Sequence, residues 1–187
     1  MHCTEFFENP DRANKSELLL HMHEHQLIQW EQQNASSISP GTVEDDETLY
    51  HQILDPTNLD DAGTGLSPGS FWSIAKLGMS TNRIKHSTLE DLVQRGQRRA
   101  QEHNDRYPNN PRPRKFWGFV SIPVSQVRNV RHEATRALYV FDTATKNNLS
   151  HADIFQGAVD NKQTRKIAMQ LYELVKGSAM KWPTQSV

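Results

Sequence analysis

Thr48-Leu49-Tyr50-His51-Gln52-Ile53-Leu54-Asp55-Pro56 reads as a short strand entering a proline turn. Downstream of it the chain has no regular strand–helix rhythm. Residues 55–70 hold Pro56, Gly63, Gly65, Pro68 and Gly69, the turn chemistry of a long loop. Phe71–Ile74 and Gly78–Thr81 read as two short extended pieces. Ser87-Thr88-Leu89-Glu90 has the spacing of a capping box, with Ser87 as cap. It opens a helix to about Asn104, with Leu89, Leu92, Val93 and Ala100 inward. Tyr107–Pro113 is a proline-rich loop. Phe116–Val124 alternates as a strand, Ser125–Val127 makes one helical turn, and Ala137–Asp142 is the next strand. Lys162–Lys176 is the last helix, with Ile167, Ala168, Leu171, Leu174 and Val175 on one face and Gly177 as its cap.

Upstream, residues 34–47 are polar and turn-rich and end in Glu44-Asp45-Asp46-Glu47, the composition of a linker. Before them, Leu19, Leu20, His23, Leu27 and Trp30 recur at helical spacing, which predicts one helix from a Ser16 cap to about Gln33. Residues 1–14 read as a loose lead-in. Strands and helices in mixed order predict an α+β fold: a small, curved, mostly antiparallel sheet with packed helices, plus an N-terminal helix. The expected division is 1–47, helix and acidic linker, and 48–187, a single α+β domain.

The 187 residues carry a formal net charge of −1, which conceals an asymmetry. Residues 1–82 hold 3 Lys/Arg against 13 Asp/Glu, and residues 83–136 hold 12 against 5. Either the acidic front neutralises the basic middle across the fold, or the middle faces an anionic partner. Cys3 is the one cysteine, which excludes an internal disulfide and cysteine-rich zinc sites. Glu5, Glu8 and Asp11 stand where a signal peptide would be basic, and the apolar runs fall far short of a membrane span. The expected setting is cytoplasmic, with no membrane partner.

Four groups of residues could carry chemistry. His151 lies in a polar segment, Asn148-Leu149-Ser150-His151-Ala152-Asp153, expected as a loop ahead of the last helix. As a general base it needs an orienting partner on its other nitrogen, and Asp142 is the candidate. The structural alternative is that His151 ties the loop down. His51 is either a site residue or a hydrogen-bonded strand residue. Arg95, Arg98, Arg99, Arg106, Arg112, Arg114 and Lys115, with Tyr107, Phe116 and Trp117 interleaved, suit single-stranded nucleic acid; the alternative is a solvated face opposite the acidic front. His21-Met22-His23-Glu24-His25 has the look of a metal tract, but on a helix only His21 and His25 share a face, so no metal is expected. No phosphate-binding glycine loop, nucleophile elbow or paired-carboxylate signature is present.

Three blocks carry a resemblance. The first is Leu49-Tyr50-His51-Gln52-Ile53 with Pro56 and Ser67-Pro68-Gly69-Ser70-Phe71. The second is Leu77-Gly78-Met79-Ser80-Thr81-Asn82-Arg83. The third is Asn148-Leu149-Ser150-His151-Ala152 followed by Asn161-Lys162-Gln163. In order and spacing they resemble a family of small bacterial proteins of no settled activity, across about 48–183. That family usually has Arg where this chain has His51, and the helix at 16–33 lies outside the resemblance. A strand-borne Tyr50-His51 also resembles ADP-ribosyltransferase-type folds. There the imidazole binds NAD, a later Ser or Tyr (here Ser70, Ser80 or Tyr139) comes next, and a Glu often stands near the end; this chain has Asp142 and Asp153 instead. The resemblance implies a toxin-like or defence-linked enzyme directed at NAD or a nucleotide, with a cognate neutralising protein as partner. Its cleft would be lined by Tyr50, His51, Ser70, Ser80, Arg83 and His151. The reading from a different class is a non-catalytic nucleic-acid- or protein-binding module that uses the basic surface of residues 95–136.

Overall fold

The computed structural model describes residues 2–9 and 14–182. Six strands form one open antiparallel sheet in the order β6-β7-β2-β1-β3-β8: β1 Thr48–Asp55, β2 Met79–Arg83, β3 Lys115–Pro123, β6 Leu138–Phe141, β7 His151–Gln156 and β8 Ala179–Lys181. A two-residue ladder of β4 (Arg131–His132) and β5 (Thr135–Arg136) stands apart. The expected α+β class and antiparallel sheet are what the chain forms.

Alternation along the strands sorts side chains onto two faces. One face carries Leu49, Ile53, Val120, Ile122, Val140, Ala152 and Ile154, the centre of the main core. It is closed by α6 (Val124–Arg128), α7 (Thr164–Val175) and the 59–74 loop, with Ile167, Ala168 and Leu171 fully buried. The other face is covered in two separate places. At one end α5 (Leu89–Arg106) sets Leu92 and Val93 on Phe119 and Tyr50. At the other end Phe6, Leu27 and Trp30 pack on Tyr139, Phe141 and Phe155. Between the two covers β2 and β7 keep an open strip of this face.

The N-terminal cover differs from expectation. The lead-in contains α1 (Cys3–Glu8), with Cys3 and Phe6 buried; its residues 1 and 10–13 lie outside the described residues. The single helix expected over 16–33 is two, α2 (Lys15–Leu20) and α3 (Glu24–Glu31), with His23 in an extended cap between them. Ser16 is buried inside α2 and caps nothing. The break has a tertiary cause: the Leu19 carbonyl accepts from the Ala158 amide (3.2 Å), which takes the last turn of α2 out of a continuous ladder. Residues 34–47 are held as well: Ala35, Ser36, Val43 and Glu47 are buried.

Elsewhere the shifts are small. Phe71–Ile74, expected extended, lies in a helical stretch made of a 3-10 turn at Pro68–Phe71 and α4 (Ile74–Leu77). The capping box sits one residue later than expected. Thr88 Oγ1 accepts from Asp91 N (3.1 Å) and Asp91 Oδ2 from Thr88 N (3.2 Å). Two overlapping boxes were available, and the one used turns Leu92, Val93, Gly96 and Ala100 to the sheet and leaves Leu89 partly exposed. Strands β7 and β8 were not anticipated. β7 has two polar residues in its first three and draws its stability from pairing on both sides. β8 lies so close to β3 that a Cβ at Gly118 (φ +157°) would stand 2.0 Å from the Met180 carbonyl oxygen.

Candidate active site: a basic groove across the sheet

The open strip is the floor of a groove. Register places His151 beside Asn82, Asn82 beside Tyr50, and Ser80 beside Asp153. Four polar side chains, Ser80, Asn82, His151 and Asp153, therefore share the uncovered face. His151 is not on a loop, as expected, but is the first residue of β7. Beyond Tyr50↔Asn82 no further β1–β2 pairs form. At that splay His51 Nδ1 meets the Ser80 carbonyl at 2.8 Å.

Three hollows adjoin along the groove. A basic hollow of about 430 Å³ has Gln52, Ser80, Asn82 and His151 from the strands and Arg95, Arg98, Arg99 and a single carboxylate, Glu102, from α5. An inner hollow of about 420 Å³ shares Ser80 and Arg99 with it, is joined by Arg114, and reaches past the β1–β2 splay to His51 and Ser70, which belong to the core side of the sheet. An outer hollow of about 450 Å³ shares His151 and runs under the N-terminal cover, past Phe7, Ala35, Ile38 and Asp153. Each is large enough for part of a small organic ligand.

Two of these arginines are tied down by neutral groups, Arg95 by its side chain and Arg114 by its backbone. Arg95 Nη1 donates to the Asn147 carbonyl (2.8 Å), which ties α5 to the turn ahead of β7. Asn104 clamps the backbone of Arg114 through two bonds, 2.7 and 2.9 Å, and so brings the proline-rich loop back beside Arg99. Among the described residues no carboxylate pairs with Arg95, Arg98, Arg99, Arg112, Arg114 or Lys115. Desolvation first, and then the Arg114 cation, lower the Arg99 pKa. An anion between them would offset the repulsion between the two cations.

Three acids of the front, Glu31, Asp45 and Glu47, pair with other arginines. Glu47 binds Arg83 (2.6 Å), which also pairs with Asp142 and donates to the carbonyls of Gly41 (2.6 Å) and Thr42 (2.9 Å). Glu31 takes Arg136 (2.5 Å) and Arg128 (3.3 Å), and Asp45 takes Arg128 (2.6 Å). Among the described residues the ion pairs made by the acidic front end on Arg83, Arg128 and Arg136, and none includes an arginine of α5.

Hydrogen bonding assigns the tautomers of both histidines. The Thr143 hydroxyl donates to Asp153 Oδ2 (2.7 Å) and accepts from His151 Nδ1 (2.9 Å); the Thr143 carbonyl, which can only accept, also lies 3.2 Å from Nδ1. Nδ1 therefore carries the proton, and the basic lone pair of neutral His151 is on Nε2. The orienting partner is Thr143 backed by Asp153. Asp142, the expected partner, is committed to Arg83. His51 likewise donates from Nδ1, to the Ser80 carbonyl, so its Nε2 is a buried acceptor with no partner among the described residues. Burial, offset in part by that bond, lowers its pKa to about 4, so His51 is neutral at pH 7.

Of the expected site residues, the groove brings together His51, Ser70, Ser80, Arg95, Arg98, Arg99, Arg114 and His151. Tyr50 is not in it; its ring packs edge-on against Phe119. Arg83 is not in it either, being 1% exposed inside its ion network. Tyr139 is buried with its hydroxyl on the Arg136 carbonyl. Arg112 and Lys115 lie on the exposed surface outside the hollows. Ser70 Oγ donates to the Asn58 carbonyl (3.0 Å). The sequence reading missed Gln52, Asn82 and Thr143. The first two were legible as polar residues on the same strand face as a candidate; Thr143 was not, because its role depends on the turn of residues 143–150. Among the described residues no three His, Cys, Asp or Glu side chains come together as metal ligands. No helix among them is long and apolar enough to cross a membrane.

Compared with protein families, curated proteins and solved structures, the chain matches none.

Proposed function

We propose that the groove is the active site of a nucleotide-directed enzyme, with NAD as the first substrate to test. The observation that carries this reading is the convergence of Arg95, Arg98, Arg99 and Arg114, four cations against the one carboxylate of Glu102 and without an ion pair among the described residues, on the hollows that hold His151, His51, Ser70 and Ser80. Phosphate oxygens lie on the arginines, where bidentate guanidinium contacts suit them. The inner hollow takes the uncharged part of the ligand against His51 and Ser70. His151, through Nε2, accepts a proton from the group that attacks. Closing the reaction from water falls to α5 and the N-terminal cover on either side. NAD fits the residues present in one respect that can be checked on them: it carries phosphates for the arginines of the hollows.

The ADP-ribosyltransferase-like chemistry, the toxin-like or defence-linked setting in bacteria and the neutralising partner protein are parts of the same proposal, and rest on the resemblance of the Tyr50-His51 strand and the Asn148–Ala152 block. Calorimetric titration with ADP and with NAD at low salt tests the groove, with release of nicotinamide as the assay of turnover. Binding that weakens as salt rises, and that is lost in Arg98→Gln/Arg99→Gln, is expected. Absence of ADP binding at low salt overturns the reading.

A further inference from the structure

The basic hollow does not end the line of unpaired cations. Along α5, Arg95, Arg98, Arg99, His103 and Arg106 recur at three- and four-residue spacing, so they run down the side of the helix next to the buried stripe Leu92, Val93, Gly96 and Ala100. From Arg95 to Arg106 the helix rises about 16 Å; one acid, Glu102, stands in the line and Asp91 acts on Arg95 through space, but among the described residues none of these arginines forms an ion pair, so the line keeps a net positive charge. The line leaves the groove at Arg99 and ends in a second concavity lined by His103, Arg106, Tyr107 and Asn110. Tyr107 is 52% exposed, and its ring lies 4.7 Å from that of His103. Arg112, in the same loop, is exposed and has no charged partner among the described residues.

A free nucleotide in the groove reaches neither Arg106 nor Tyr107. A strand does. We propose that the nucleotide the groove takes is, in place of free NAD, the end of a single-stranded nucleic acid: its terminal nucleotide lies in the groove, its next phosphates track Arg98, Arg99 and Arg106, and a base further along stacks on Tyr107. This rests on the groove being a nucleotide site. Cations spaced along an extended path with an aromatic face at its end are the chemistry that holds single strands, since phosphates take the charge and every base offers a face to stack. Duplex is disfavoured because Tyr107 is useful only to an unstacked base.

Fluorescence anisotropy of 5′-labelled ten-nucleotide oligo(U) and oligo(dT), beside calorimetry with ADP, tests this on the full chain. The oligonucleotides should bind at least tenfold more tightly than ADP, with a log–log salt slope near −0.7 per phosphate contacted, roughly −2 to −3 in total. Tyr107→Ala should weaken oligonucleotide binding roughly tenfold, and Arg106→Gln should flatten the salt slope; neither should change ADP binding, because both residues lie outside the groove. Arg99→Gln should weaken both ligands. If ADP binds but the oligonucleotides bind no better, or if Tyr107→Ala and Arg106→Gln leave them unaffected, the strand proposal fails and the nucleotide groove stands. If neither ligand binds, both fail. Equal binding of a blunt duplex of the same length also overturns the proposal.

Discussion

The two histidines of the groove are set apart by one hydrogen-bond partner each. His151 keeps its proton on Nδ1 because Thr143, backed by Asp153, can receive it there. Replacing His151 by alanine should lower turnover by about 10²-fold, the usual scale for a lost general base. Stability should fall by only about 1 kcal/mol, the usual net worth of one hydrogen bond. Nicotinamide release and urea denaturation measure the two; full activity in the variant would leave His151 with a structural role alone. His51 makes a different prediction. Its folded pKa of about 4 lies below the unfolded value of 6.5, so between them the unfolded chain binds the extra proton. Stability should be complete above pH 6.5 and fall as pH drops toward 4, by about 3 kcal/mol for a shift of this size. His51→Asn keeps a donor for the Ser80 carbonyl but has nothing to titrate, so its urea midpoint should fall less than that of the wild type between pH 7 and 4.5. Parallel pH curves would reject the linkage.

At the level of elements, Arg83 shows how a polar residue that reads as a ligand contact can be a structural tie. One guanidinium joins the end of β2 to Glu47 ahead of β1, to Asp142 after β6, and to the backbone at Gly41 and Thr42. Arg83→Met leaves two carboxylates buried without a counter-ion, and should cost about 3–5 kcal/mol. Adding Glu47→Gln and Asp142→Asn removes the stranded charges and should recover part of the loss. Equilibrium urea unfolding of the single and triple variants measures both effects, and a single variant as stable as the wild type would show that the network contributes nothing. The segment expected as a free linker is what this tie holds in place.

For the whole molecule, the question is what the first 47 residues do. They bury Tyr139, Phe141 and Phe155 under Phe6, Leu27 and Trp30, and they form one wall of the outer hollow beside His151. Uncovering large side chains costs about 1.5–3 kcal/mol each, a large share of what holds a domain together. A chain of residues 48–187 alone should therefore melt without a cooperative transition, or at a much lower temperature, and should bind a hydrophobic dye. A fragment that melts as sharply and as late as the full chain would mean the N-terminal segment is a separable appendage, and limited proteolysis would then cut first within 34–47.

Local chemistry alone determined a good deal. The strand from Thr48, the alternation expected over 116–124, the amphipathic helices expected to about Asn104 and over 162–176, each within about two residues of what forms, and the α+β class all come from side-chain period and turn residues, which act between near neighbours. The candidate residues His51, Ser70, Ser80, His151 and the arginines of α5 were legible too, as polar groups in segments that otherwise read as strand, turn or helix. Only the tertiary structure decided which arginines are neutralised. Arg83 and Arg99 look alike in the chain, yet one is ion-paired with Glu47 and Asp142 and the other forms no ion pair among the described residues, because ion pairing depends on distances across the sheet and not only along the chain. It also decided that His151 begins a strand, since β7 is stabilised by β2 and β6 on either side. The groove itself is a gap between two covers on one face of the sheet. A gap is a property of how α5 and the N-terminal helices are placed, and no stretch of residues spells it.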